Sequence, residues 1–158
     1  MSPQVLNAWL PLLRSHAELT RAMNATLISE HGLTLNDYDV LVQLADAPER
    51  VLRRVDLADR VVLSASGITR LLEGLERAGY VCKRSCDADA RVTYAMLTDA
   101  GYEKLLEASK THHGDIERLF TEHFTAEELD TLGTLLNRLV CPAAKAAAAA
   151  ESEPAAVA

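Results

Sequence analysis

A chain of 158 residues with 49% hydrophobic content can bury the core of one domain, with or without an extension. Its aromatic share is only 4% while Leu and Ala are abundant, which points to helices. The net charge of −7 excludes a generally basic nucleic-acid binder, yet the charge is uneven: Arg50 to Arg91 carries nine Arg or Lys against six Asp or Glu, and the rest of the chain is strongly acidic. No run of about 18 apolar residues is present, so no membrane span is expected. The first residues lack a basic-then-apolar leader, so a cytoplasmic protein is expected. Cys82, Cys86 and Cys141 then read as reduced thiols.

The first element is a helix from Val5 to about Glu30. Leu6, Trp9, Leu13, His16, Thr20, Met23 and Leu27 alternate steps of three and four, a heptad-like seam flanked by Leu10, Leu12 and Leu19. A seam this broad exceeds the needs of a small domain, so part of it reads as intersubunit surface. Pro11 removes one helical hydrogen bond and predicts a kink near Asn7 or a restart. His31-Gly32 stops the helix. Thr34 caps the next one, with Asp37 in its first turn and Tyr38, Leu41, Val42 and Ala45 as its buried stripe, ending near Asp46-Ala47-Pro48. Val51-Leu52-Arg53 is long enough only for a small strand. Arg54 to Val61 fits a short helix with Val55, Leu57, Ala58 and Val61 inward.

A tight connection at Val62-Leu63 leads to a helix over Ser64 to Gly79. Ile68, Leu71, Leu72 and Leu75 form one apolar stripe. The opposite face carries Ser66, Arg70, Glu73 and Arg77, with Thr69 on its flank. Ser64 is a good N-cap and Gly79 a good stop. Gly67 and Gly74 share one flank and predict a close crossing by another helix. Taken alone, this pattern also suits an ordinary core helix. Preceded by a short helix and a tight turn, it reads as the second helix of a helix-turn-helix. Arg can pair a guanine bidentately, and Ser or Thr can reach bases or backbone.

Tyr80 to Arg84 and Val92 to Leu97 read as two strands of a hairpin with its tip near Asp87 to Ala90. A hairpin directly after such a helix is a wing. Arg91 is placed to reach a neighbouring groove, Asp89 is close enough to hold it, and Lys83 and Arg84 are candidates for phosphates. Thr98-Asp99 opens a long helix to about His123. Tyr102, Leu105, Ser109, His112, Ile116, Leu119 and His123 repeat the alternating step. This helix reads as a strut towards a dimer interface. Thr125 with Glu128 is a capping box for a last helix, with Leu129, Leu132, Leu136, Leu139 and Val140 inward. The Ala-rich tail after Pro142 is expected to fray.

The segments LTLNDYDVLVQLA, DLADRVVLSASGITRLLEGLERAGY and DADARVTYAMLTDAG, in this order, resemble the MarR family of bacterial transcriptional regulators. Asp89 and Arg91, followed by Leu97-Thr98 and Gly101, match the wing of that family and its exit. The resemblance runs from about Val5 to Val140. It implies a mainly α fold with a small β-hairpin wing: a winged helix-turn-helix with long N- and C-terminal dimerisation helices. Residues 1–140 form the domain, with a DNA-binding lobe at 33–97, dimerisation helices at 5–30 and 98–140, and a disordered tail at 141–158. It further implies a homodimer on double-stranded DNA, with recognition helices in successive major grooves. Carried over position by position, Ser64, Ser66, Thr69 and Arg70 are recognition-helix contacts and Arg91 is the wing contact. The tip Asp87-Ala88-Asp89-Ala90 has fewer arginines than many relatives, which limits the expected wing contacts to Arg91.

Repression, released by a small aromatic or phenolic effector, is the family habit. Trp9, His16 and Tyr38 are candidates to line the effector pocket, although core positions explain each of them as well. Two variants of the regulator remain open. A metal-responsive one would draw on His16, His31, His112, His113 and His123, but their spacing matches no metal motif; no metal site or cofactor is expected. A thiol-responsive one would draw on Cys82 and Cys86, about 13 Å apart along an extended strand against about 6 Å for a disulfide. A winged-helix protein-interaction module is a third alternative, and Ser66, Thr69 and Arg70 speak against it. No nucleophile–base pair, metal motif or phosphate loop suggests an enzyme.

Overall fold

Helix α1 (Pro3–His31) begins where the Ser2 hydroxyl accepts from the Val5 N–H and ends at Gly32, whose φ of 67° is the left-handed conformation glycine adopts without strain. The structure is a computed structural model and describes residues 1–61, 63–85 and 93–139. The chain divides into two units, Met1–Asp115 and Ile116 onward. The expected restart at Pro11 is absent, for α1 runs through it as one helix. Leu27 is its one buried residue, while Val5, Trp9, Leu10 and Leu13 are exposed.

Helix α2 (Leu35–Ala45) opens on the expected box, in which Thr34 and Asp37 satisfy each other's backbone N–H. Asn24 Oδ1 accepts from Leu35 N at 2.9 Å and fixes the α1–α2 corner. The buried stripe is shifted from the expected one: Tyr38 and Leu41 are buried together with Val40, Gln43 and Leu44, whereas Val42 and Ala45 are only partly buried against the core. A 3-10 turn (Pro48–Arg50) holds Glu49 and Arg50 at positive φ before strand β1 (Val51–Arg53). Arg50 is anchored by Asp99 at 3.2 Å and by the Tyr102 ring, whose centroid lies 3.9 Å from its guanidinium carbon.

Helix α3 (Arg54–Arg60) buries Leu57, Ala58 and Val61 behind it. Val55, expected inward, is 55% exposed. It lies two residues before Leu57, about 200° round the helix, so one side cannot bury both. Helix α4 (Ala65–Arg77) leads into strands β2 (Val81–Ser85) and β3 (Thr93–Leu97). The three strands form an antiparallel sheet in the order β1-β3-β2, with Ala95 opposite both Leu52 and Lys83. The expected hairpin is therefore present, and β1 adds a third strand. Its tip lies outside the described residues, as do Asp89, Arg91 and the expected tail.

The core of the first unit takes a stripe from each of α1 to α4: Leu27, Val40, Leu41, Leu44, Leu57 and Ile68 are almost fully buried. Burying each such side chain contributes about 1.5–3 kcal/mol. Helix α5 (Asp99–Thr121) joins the sheet through Thr98. The Thr98 hydroxyl donates to Gly79 O at 2.8 Å and accepts from Gly101 N at 3.0 Å. Leu105 and Ala108 are buried one and two turns on.

In the second unit, α5 ends at Thr121, two residues before the expected His123. The Phe120 and Phe124 rings pack with centroids 6.3 Å apart. Thr125 and Glu128 form the expected capping box of α6 (Ala126–Leu136). No residue of α6 is buried, and Leu136 and Leu139, expected inward, are exposed. A periodic stripe shows which side of a helix is apolar, not whether its own chain covers it. Among the described residues, no helix is long and apolar enough to cross a membrane.

Candidate nucleic-acid interface

Helices α3 and α4 form the helix-turn-helix, and the turn between them closes with Leu63 N donating to Ala58 O at 3.0 Å. Ser64 caps α4, its hydroxyl accepting from Gly67 N at 3.1 Å. Ile68, Leu72 and Leu75 are buried beneath the helix and hold it from behind. Ser66, Arg70, Glu73 and Arg77 are exposed on the far side, as the 100° step requires. The crossing expected at Gly67 and Gly74 is not found. A Cβ at Gly67 would meet only the preceding turn, 3.2 Å from Ser64 Oγ and 3.8 Å from Leu63 Cβ, and one at Gly74 would meet nothing within 4 Å.

Ser64, Ser66, Thr69 and Arg70 thus share the first two turns of one helix. The Ser64 and Ser66 hydroxyls are 3.2 Å apart, so capping and surface chemistry meet at the start of α4. Arg70 is exposed and has no side-chain partner among the described residues. Thr69 is half-buried, with its hydroxyl 3.4 Å from Arg54 Nη1. Arg77 folds back onto its own helix, Nε donating to Glu73 O at 3.2 Å. Arg84 is exposed on β2, but Lys83, the other phosphate candidate, is paired with Glu76 at 2.8 Å. Sequence reasoning missed Arg54; its one signal was the Arg53-Arg54 pair opening the first helix of the motif within the basic stretch.

The three effector candidates differ in exposure. Trp9 and His16 are exposed on α1. Tyr38 is buried at the α2–α5 contact, with its hydroxyl 3.2 Å from Ser109 Oγ and its ring centroid 4.6 Å from that of His112. Burial, and then the neighbouring His113, lower the pKa of His112 below its ordinary 6.5, with Asp115 opposing weakly. Neutral His112 therefore suits the fold while the unfolded chain takes up its proton more readily. That share of stability is full above about pH 6.5 and is lost as pH falls through the depressed folded value. Urea midpoints of wild type and His112→Gln should therefore diverge between pH 7.5 and 5.5, wild type losing more; parallel curves would remove His112 from the account.

Cys82 is partly buried in β2, whereas Cys86 and Cys141 lie outside the described residues. Among the described residues, no three His, Cys, Asp or Glu side chains are grouped to hold a metal ion. His31 instead bonds Thr111 at 2.8 Å.

A family model described as the MarR family matches residues 31–92, from the end of α1 into the hairpin. The HTH-type transcriptional repressor YetL of Bacillus subtilis (strain 168) is 31% identical over 137 residues, covering 82% of this chain and 81% of that protein. Sco3205, a MarR family transcriptional regulator from Streptomyces coelicolor solved in complex with DNA, superposes with a TM-score of 0.80 at 26% identity, covering 88% of this chain and 87% of that one. AbsC, another MarR family transcriptional regulator from Streptomyces coelicolor, gives a TM-score of 0.78 at 28% identity over 88% of this chain and 93% of its own. Sequence, winged helix-turn-helix architecture and the capped, polar-faced α4 agree: the chain belongs to the MarR family of transcriptional regulators.

Proposed function

We propose that this regulator binds double-stranded DNA as a homodimer and represses transcription from a pseudo-palindromic operator. The observation that carries this reading is α4, clamped from behind by Ile68, Leu72 and Leu75 while Ser66 and Arg70 stand in the open. Such a helix presents short hydrogen-bonding groups and one guanidinium to a major groove without bending its own backbone. Ser64, Ser66, Thr69 and Arg70 are the proposed contacts of α4. Arg84 meets the backbone, and Arg91, held by Asp89, is the wing contact. The basic share of the chain surrounds this helix and the acidic remainder repels DNA elsewhere, which orients the approach. Repression and duplex DNA as the target draw support from YetL, named a repressor, and from Sco3205, solved with DNA.

The division of labour follows: residues 33–97 bind DNA, residues 5–30 and 98–140 dimerise, and 141–158 is an appended tail. The exposed Trp9 and Leu13 of α1 favour a partner chain there. A small aromatic effector that reaches the α1–α2–α5 region, near Trp9, His16 and Tyr38, would release the DNA. The site of action is the cytoplasm.

Selection from random duplexes, followed by a salt series with Arg70→Ala, tests the reading. The expected outcome is a palindrome with half-sites about 10 bp apart centre to centre. Arg70→Ala then costs ~1–3 kcal/mol on that sequence if the guanidinium reads a base. Failure to select any palindrome would remove the DNA-reading role from α4.

A further inference from the structure

We propose that Arg54 is a positioning residue of the interface, setting sequence discrimination through the Thr69 hydroxyl rather than by meeting a phosphate itself; this rests on the reading of Thr69 as a contact. Arg54 is the first residue of α3, and it is half-buried rather than extended into solvent. Its Nη1 donates to Thr69 Oγ1 at 3.4 Å, across fifteen residues of sequence, and so ties the first helix of the motif to the second turn of α4. Arg54 and Thr69 line one recess with Leu72, Lys83, Tyr94 and Ala95, walled by α4 and the strands β2 and β3. Among the described residues Arg54 has no carboxylate within ion-pair distance, and its described polar contact is this hydroxyl.

The chemistry follows from what each group can do. A guanidinium is only a donor, so Thr69 Oγ1 must accept on that side. Acceptance favours one of the threonine's staggered χ1 wells, and with it the direction in which the hydroxyl and methyl face a base edge. A threonine methyl can meet a thymine methyl and the hydroxyl can meet polar base atoms, so a favoured rotamer chooses between them. Arginine suits the task because its long side chain crosses the recess while the planar head holds a fixed donor direction.

A double-mutant cycle on the full-length protein tests the proposal. Arg54→Ala, Thr69→Val and the double variant are titrated with the best duplex from random-sequence selection and with a shuffled duplex of the same composition, each across a salt series. Thermal unfolding of each variant accompanies the titrations. Each single variant is expected to lower the ratio of selected to shuffled affinity by about three- to tenfold, the worth of one hydrogen bond. The double variant is expected to lower it no further, with the salt slope unchanged. Loss of stability alone would weaken both duplexes equally and leave the ratio in place, which overturns the proposal. So would losses that add in the double variant, or an Arg54→Ala loss uniform across sequences with the salt slope reduced by about one, the mark of a phosphate contact. If Thr69→Val leaves the ratio unchanged while Arg54→Ala moves it, the reading of Thr69 is what has failed. If Thr69→Val moves it and Arg54→Ala does not, Thr69 stands as a contact and the positioning role of Arg54 is lost.

Discussion

Trp9→Glu with Leu13→Glu is expected to yield a folded monomer that binds a full palindrome at least a hundredfold more weakly than wild type. Trp9 and Leu13 are four residues apart on one face of α1 and are 53% and 49% exposed in the single chain. Neither belongs to the core, so the variant should keep its helix content and unfold cooperatively. In a two-fold interface each change occurs twice, and a carboxylate carried into an apolar contact must be desolvated without a partner. The DNA consequence is larger than the change itself. Linking two reading heads makes the second half-site an intramolecular event, and losing that link forfeits a factor of about 10²–10⁴. Sedimentation equilibrium with titration of full and half sites checks both parts. A variant that still sediments as a dimer would move the interface away from this face.

Gly101→Ala is expected to destabilise the chain by about 3 kcal/mol or more, or to prevent folding. A Cβ at position 101 would lie 2.1 Å from the Tyr80 carbonyl oxygen and 2.8 Å from Leu97 Cδ1. The near atom is backbone, so no side-chain rotation relieves the clash. The same Tyr80 oxygen accepts from Thr98 N at 3.0 Å and also meets the Thr98 hydroxyl at 3.1 Å. Separating α5 from β2 would therefore break the clasp that joins the exit of α4 to α5. Gly74→Ala is the control: its Cβ meets nothing, and alanine should gain a few tenths to ~1 kcal/mol of helix propensity. Urea unfolding of the two variants checks the contrast, and equal midpoints would refute the close approach at Gly101.

The local chemistry of each element was legible in the residues, because caps and periodicity act over three or four positions. Thr34 with Asp37, Thr125 with Glu128, and Ser64 before the Ile68–Leu75 stripe declared three helix starts, and all three cap as written. The polar set Ser66 and Arg70 was legible for the same reason: a 100° step fixes which residues oppose a buried stripe. The order of these elements carried the family. Contacts between distant residues were not legible. A three-residue strand such as β1 cannot announce its pairing with β3, since strand pairing depends on where the rest of the chain brings the backbone. Val55 lost its inward place because a seven-residue helix has one buried side. Gly67 and Gly74 suggested a crossing helix, whereas the demanding glycine was Gly101, which faces a carbonyl twenty-one residues earlier. The sequence alone determined the order of the helices, the caps at Thr34, Ser64 and Thr125, and the exposed face of α4. The tertiary structure alone decided that Lys83 belongs to Glu76, that Arg54 reaches Thr69 and that Tyr38 meets His112. Hydrogen bonds, ion pairs and ring contacts between different elements depend on side chains converging in space, and no local period encodes that convergence.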